Sequence, residues 1–492
     1  QYNGSYETDI LTDDQFSELP SRSNTRFSPE KYDDEFDQMS VTLSGSINDN
    51  LDVILTSSIF ERDTAYTYDY ASYVEYYAYA AYPSYVCDYY DYYYYGNVSN
   101  CRDPRMTYAQ TNDIERTATE FRIQSNNDSG FNWILGAFKE TNEKVTDVDY
   151  LQPGSTNPIF WEADLVRKGD IDAIFGEAYF DLSEKTSLTM GLRKYDQTMN
   201  LKASDGYYGS YAYGINSLDF NSSETGSIPK LSISHDISDD IMVYGSYSEG
   251  FRPSGVNRPR PSQAGLIPET YDPDYLDSYE IGVKSSLKDG KLILNGALYK
   301  MDWTDYQTST YDTDITSVAY TENVGNAEIN GMELNLMYAI SDTADMTLYV
   351  NKMDPTLSED YYYTSGELGA DAGNRLAYMP ELTYYLSFDK DFVFMGKPAY
   401  MNIDYSHTGE RYTTYENGGI LLPSYSMSNL RAGIDNDNSS IELYVTNLFD
   451  KDAYLSRYDD FESVGSSGYP GFGIRRTGSK PRVIGIRIRY RY

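Results

Sequence analysis

The chain of 492 residues carries a formal net charge of −37, from 76 acidic and 39 basic residues. Like charge repels phosphate, so nucleic acid is excluded as a partner. Only 40% of residues are hydrophobic although 54 are tyrosine, and no run approaches the roughly 18 apolar residues of a membrane helix; what remains is a set of soluble domains or one large barrel whose strands hide their apolar face by alternation.

In chain order, residues 1–10 carry a weak strand pattern. The first firm strand spans 38–47, where Val41, Leu43 and Ile47 alternate with Ser40, Thr42, Ser44 and Ser46. Turn-like stretches then recur between paired strand candidates: INDN (47–50), NNDSG (126–130), SEKT (183–186), SDD (238–240), KDG (288–290), SDTAD (341–345), DKDFVFMGK (389–397) and DNDNS (435–439). Asn, Asp and Gly tolerate the positive φ of tight hairpins, so these are hairpin ends. Between the hairpins lie long polar connections at 143–168, 202–225, 252–274, 353–377 and 450–481. Short turns at one end and long loops at the other mark outer-membrane barrels. A period near 50 residues also suits a soluble propeller of kelch-type blades, but each repeat here holds two strands where a blade needs four.

About 17 strands can be counted. Single-chain bacterial barrels have even numbers, so residues 1–10 are the candidate for an eighteenth. The chain ends on PRVIGIRIRYRY (481–492). Ile484, Ile486, Ile488, Tyr490 and Tyr492 fall on one face of an extended chain, and Arg487, Arg489 and Arg491 on the other. The isoleucines suit lipid and the arginines a polar lumen; the alternative is a soluble edge strand with its arginines in water.

Six blocks, in order, resemble TonB-dependent outer-membrane receptors. They are EFRIQSNNDSGFNWILGAFKE (120–140), FGEAYFDLSEKTSLTMGLRKY (175–195), DIMVYGSYSEGFRPSGVN (240–257), LDSYEIGVKSSLKDGKLILNGALYKMDWTDYQ (276–307), ENVGNAEINGMELNL (322–336) and LYVTNLFDKDAY (443–454). The resemblance implies an all-β, transmembrane antiparallel barrel of about 22 strands with a plugged lumen. In the family, an N-terminal plug carries a box that contacts the TonB complex, and the terminal aromatic belongs to the signal read by the barrel-assembly machinery; here that role falls to Tyr490 and Tyr492. Nothing in residues 1–492 resembles the plug, and about five strands are missing from the count. The whole chain is therefore expected to be the C-terminal barrel portion of such a receptor, in the outer membrane of a Gram-negative bacterium. The implied function is energy-coupled uptake of a scarce nutrient, most often a ferric siderophore. The alternatives are a receptor for glycan, cobalamin or another organic ligand, and a plugless 18-strand diffusion porin.

Two cysteines, Cys87 and Cys101, flank CDYYDYYYYGNVSNC. The cell surface is oxidising, so a loop disulfide is expected, stabilising by about 3 kcal/mol in the chain-entropy model. Residues 66–95 hold 15 tyrosines. Tyr66, Tyr68 and Tyr70 are assigned to the outer aromatic girdle; Tyr89, Tyr90, Tyr92, Tyr93, Tyr94 and Tyr95 are ligand-contact or loop-packing candidates. The acidic YDPDYLD (271–277) could hold a hard cation, although a solvated loop is the simpler reading. His235 and His407 read as ordinary barrel residues. No nucleophile–base pair, phosphate loop, metal-ligand set or cofactor motif stands out, so an enzyme is not expected.

Overall fold

The computed structural model describes residues 4–7, 28–70, 106–151, 159–207, 216–257, 265–310, 319–416, 418–436, 438–459 and 474–490. Seventeen strands form one barrel sheet. They are β1 (Lys31–Asn48), β2 (Leu51–Asp69), β3 (Thr107–Ser125), β4 (Phe131–Leu151), β5 (Ile159–Ser183), β6 (Thr186–Tyr207), β7 (Asn216–Ser238), β8 (Ile241–Arg252), β9 (Asp274–Leu287) and β10 (Leu292–Thr304), then β11 (Ala327–Ser341), β12 (Ala344–Leu357), β13 (Leu382–Phe394), β14 (Lys397–Thr408), β15 (Tyr425–Asn436), β16 (Ser439–Thr446) and β17 (Val483–Tyr490). Each pairs antiparallel with the next barrel strand in the chain. Among the described residues no ladder joins β1 to β17. Residues 4–7 do not extend the barrel. They pair with Ile474–Gly478 in a small separate sheet, so the eighteenth strand of the porin reading is not found there.

All eight expected hairpin ends fall between consecutive strands. The turn expected over 389–397 is tighter than read, because its strands continue to Phe394 and resume at Lys397. Only Met395 and Gly396 connect them, both at positive φ (53° and 78°), as a two-residue hairpin turn requires. The long connections are less loop-like than expected. Residues 143–151 continue β4, 159–168 begin β5, and 202–207 and 216–225 belong to β6 and β7.

Above each short turn, large apolar residues line the outer face and stay exposed. Ile174 is 64% exposed, Ile281 62% and Ile486 68%. Apolar side chains in such numbers on a surface need lipid. The belt ends upward at charged residues such as Lys139 and Asp172, an ion pair at 3.2 Å between β4 and β5. In β17, Ile484, Ile486 and Ile488 lie opposite Val445, Leu443 and Ile441, and Arg487 reaches Glu442 at 2.8 Å on the other face.

On the lumen side, ring residues lie flat across glycines of the neighbouring strand. Tyr195 covers Gly226, Tyr244 covers Gly282, Tyr299 covers Gly331 and Tyr444 covers Gly485, each a direct cross-strand pair. A Cβ on any of these glycines would strike the ring. The phenol of Tyr195 donates to Glu224 (2.9 Å) and that of Tyr299 to Asn351 (3.0 Å).

The two halves of the barrel differ in height. β1–β7 run 18–25 residues, whereas about 10 tilted residues suffice to cross a bilayer. β8–β17 run 8–15 residues and are topped by folded loops. Those loops enclose a core of Val324, Leu357, Tyr361, Leu376 and Tyr415. Arg375 ties three acids there, Glu381 (3.1 Å), Glu416 (3.3 Å) and Glu410 (3.4 Å).

Candidate functional site

The residues above the lipid belt on the tall side follow a strict two-residue period. In β4, Lys144, Thr146, Val148 and Tyr150 alternate with Val145, Asp147 and Asp149; in β5, Trp161, Ala163, Leu165 and Arg167 alternate with Glu162, Asp164 and Val166. Successive side chains point to opposite faces, so the acids go outward to water while rings, small apolar residues and cations go into the lumen. Outside, Asp147 lies opposite Asp164, and Asp149 opposite Glu162. Burial, reinforced by Glu162, raises the carboxyls of Asp149 and Asp164 above their ordinary value.

Inside, cross-strand register stacks these residues in rows. Uppermost are Tyr108, Tyr150 and Trp161; next Gln110, Val148, Ala163 and Asp205; then Asn112, Thr146, Leu165 and Ala203; lowest Lys144, Arg167 and Leu201. All of these except Asn112 line a cleft of about 230 Å³. Its rim is aromatic: Tyr150 meets Tyr108 and Trp161 edge-on, each with ring centroids 5.1 Å apart. The wall continues through Tyr66 (6.0 Å from Tyr108) to Tyr32 (6.3 Å from Tyr66). Burial among these rings holds the Tyr66 phenol well above its ordinary value. Polar side chains brace one side: Gln110 Nε2 donates to Asn112 Oδ1 (2.9 Å), Asn112 Nδ2 to Thr64 Oγ1 (2.9 Å), and Thr146 Oγ1 to Asn112 Oδ1 (2.9 Å).

At the base, Lys144 and Arg167 are direct cross-strand partners. Like charges so placed are destabilising. Burial, and then Arg167, lowers the Lys144 amine below its ordinary value.

This placement corrects the sequence reading of Tyr66 and Tyr68. They share the lumen face of β2 with Thr64 and belong to the inner aromatic wall, whereas Leu55 and Ile59 face outward. Tyr70, just beyond β2, meets Tyr150 edge-on at 5.2 Å and joins the same wall. The loop candidates Tyr89, Tyr90, Tyr92, Tyr93, Tyr94 and Tyr95, the pair Cys87 and Cys101, and Tyr492 lie outside the described residues. Tyr490 is exposed opposite Ser439, at the short-turn end of β17.

The acidic stretch 271–277 does not form an open cation cage. Asp274 is 1% exposed and accepts from Arg252 Nε (2.9 Å), Trp303 Nε1 (3.0 Å) and the Gln307 amide (3.0 Å), while Asp277 accepts from Tyr247 (2.7 Å). His235 bonds to Thr186 (2.9 Å) and His407 stacks on Tyr384 (4.8 Å). Among the described residues no group of three or more His, Cys, Asp or Glu is placed to hold a metal ion.

Sequence reasoning missed Lys144, Arg167, Tyr150 and Trp161, because the acids between them made both segments look like loops. The alternation in EKVTDVDY and WEADLVRK was the signal that could have revealed them.

An antiparallel barrel with an outer apolar belt, short turns at one end and an aromatic-rimmed cleft at the other is an outer-membrane barrel of the receptor type. A family profile, "TonB dependent receptor-like, beta-barrel", matches residues 1–448, and the chain belongs to that family of outer-membrane receptors and transporters, which are not enzymes. The metal-pseudopaline receptor CntO of Pseudomonas aeruginosa is 23% identical over 339 residues, covering 66% of this chain and 44% of that protein. The ferrichrome outer membrane transporter/phage receptor of Escherichia coli is 25% identical over 234 residues, covering 45% of this chain and 28% of that one. The chain thus spans less than half the length of these relatives. Among solved structures, the ferric yersiniabactin uptake receptor FyuA of Yersinia pestis is similar in fold, with a TM-score of 0.68 at 15% identity, over 92% of this chain and 61% of that one. The siderophore receptor PiuA of Acinetobacter baumannii gives 0.66 at 14% identity, over 96% and 66%.

Proposed function

We propose that this chain, over residues 1–492, is the barrel of an outer-membrane receptor that takes up a scarce nutrient as a metal chelate, of the ferric siderophore class. The observation that carries the reading is the aromatic-rimmed cleft on the lumen wall, above the lipid belt and at the end away from the short turns. Ligands too large for porins are caught at that end, which faces the medium in outer-membrane barrels. The names of the relatives, receptors for metal-pseudopaline and ferrichrome, support the metal-chelate class. Coupling to the TonB complex through a plug domain, and insertion by the barrel-assembly machinery, belong to the same proposal.

The test is uptake of radiolabelled ferric chelates by iron-starved Gram-negative cells that lack their own receptors and express this barrel joined to a plug domain of the family. Accumulation that a protonophore abolishes is expected. Accumulation that a protonophore leaves intact would favour the diffusion porin, and no accumulation of any ferric chelate would remove the siderophore reading.

A further inference from the structure

The base of the cleft has an unusual charge arrangement for so acidic a protein. Lys144 and Arg167 face each other across β4 and β5 on the lumen side. Among the described residues neither has a carboxylate within 4.0 Å. Acids are plentiful on the same two strands, yet Asp147, Asp149, Glu162 and Asp164 occupy the opposite parity and point outward. Asp205, the acid among the residues lining the cleft, stands two rows higher, opposite Ala163, and the lumen-facing Glu140 lower on β4 is paired with Arg116. A one-residue change of parity would have brought acids to the cations. The arrangement instead keeps two positive charges together, Lys144 half-buried and Arg167 exposed, uncompensated by their own strands, which costs stability unless something anionic arrives.

The shape of the cleft adds a second constraint. From Tyr150 to Lys144 is six residues along β4, or about 20 Å of strand. A volume of about 230 Å³ falls below the roughly 300–1,000 Å³ of sites that enclose a whole ligand. The cleft therefore receives one side of a larger ligand.

We infer that Lys144 and Arg167 form an anion seat, so that the cleft selects iron chelates bearing net negative charge, their oxygens directed to the two cations and a flat portion to the rim of Tyr108, Tyr150 and Trp161. The inference rests on the receptor reading above and narrows it to anionic chelates. Arg supplies a planar fork of donors and Lys a point charge, a combination suited to carboxylate, catecholate or phenolate oxygens.

The test uses the folded protein in detergent and two iron complexes of similar size, the anionic ferric tris(2,3-dihydroxybenzoate) and the neutral ferric tris(acetohydroxamate), titrated by calorimetry. The anionic complex should bind at least about tenfold more tightly, and added salt should erode that advantage. Lys144→Gln and Arg167→Gln should each weaken the anionic complex about tenfold, as loss of a charge-assisted contact does, and leave the neutral one within about twofold. Lys144→Arg should retain the preference. Heat-modifiable migration in gels verifies that each variant is folded, and the Lys144→Arg protein answers the question if a glutamine variant misfolds. Equal affinity for the two complexes, or folded glutamine variants that bind the anionic complex normally, would overturn the anion seat while leaving the receptor reading in place. A wild-type protein that binds neither complex would overturn both.

Discussion

The tall and the short sides of this barrel solve the same problem differently. On the tall side, β1–β7 carry the sheet itself far above the membrane, and the cleft is built from side chains whose positions are set by cross-strand register. On the short side, β8–β17 stop sooner and loops finish the wall, held by a small core around Leu376 and by two arginine knots, Arg252 with Asp274 and Arg375 with three glutamates. A sheet extended into water can sort charges by parity alone, acids out and cations in. Loops have no such period and must anchor each charge individually. The recognition surface is therefore expected on the tall side and the scaffold on the short side.

The lipid belt is common to both sides, so substitutions there should have the largest effect. Ile486→Arg puts a cation on the lipid face and should cost about 2–4 kcal/mol near the midplane, read as loss of the folded, heat-modifiable fraction on insertion into bilayers. Arg487→Ile removes the partner of Glu442, but Tyr400 still donates to that carboxylate at 2.7 Å, so about 1 kcal/mol is expected. The reverse order would mean that the faces of β17 are misassigned.

Next in size is the Arg252 knot. Asp274→Ala removes the carboxylate from the guanidinium, which keeps the Gln307 carbonyl (2.7 Å) and its stacking over Trp303 (4.9 Å), and leaves the Trp303 and Gln307 N–H groups without their acceptor. Because Arg252 is half-exposed, about 2 kcal/mol is expected, less than for a fully buried pair. Limited proteolysis should cut the short-side loops faster while iron-complex binding stays unchanged. Binding lost together with loop order would show that the two sides are not independent.

A smaller effect, equal on both sides, should follow from filling the glycines under the tyrosines. Gly226→Ala on the tall side and Gly331→Ala on the short side each drive a ring off its neighbour, breaking Tyr195–Glu224 or Tyr299–Asn351. Each should cost about 1–3 kcal/mol in urea titrations. A tall-side variant without cost would mean that its tyrosine has room to swing into the lumen.

The smallest effect is a pH dependence confined to the tall side. The Lys144 amine is lowered by burial and by Arg167; the other titratable groups lining the cleft, Tyr108, Tyr150 and Asp205, stand in the rows above it. Binding of the anionic iron complex should weaken as pH rises through that lowered value, earlier than for an ordinary lysine, and Arg167→Gln should move the transition to higher pH. Stability of the unliganded protein should run the opposite way. In that window the folded chain holds fewer protons at Lys144 than the unfolded chain, so stability rises with pH. A binding curve flat across the alkaline range would detach Lys144 from recognition.

Much of the barrel was legible in the sequence, because lipid and water impose a two-residue period wherever both are present. The hairpin ends, the facing of Ile486 against Arg487 and the receptor family could be read from such stretches. Residues 143–151 and 159–168 escaped because water lies on both faces above the membrane. Their outer residues are then as polar as those of a loop, and only the sign of charge distinguishes Asp147 from Lys144. Tyr66 and Tyr68 were placed on the wrong face for a related reason: a tyrosine suits a lipid interface and an aromatic lumen wall equally well, and only parity with Thr64 decides.

The most direct test of the division between a recognising side and a scaffolding side is to locate the iron. A crystal of the protein soaked with ferric tris(2,3-dihydroxybenzoate) and measured at the iron absorption edge should show one anomalous peak in the cleft between β3 and β6, beside Lys144 and Arg167. A peak over the short-side loops around Arg375 and Tyr412, with the cleft vacant, would contradict the account.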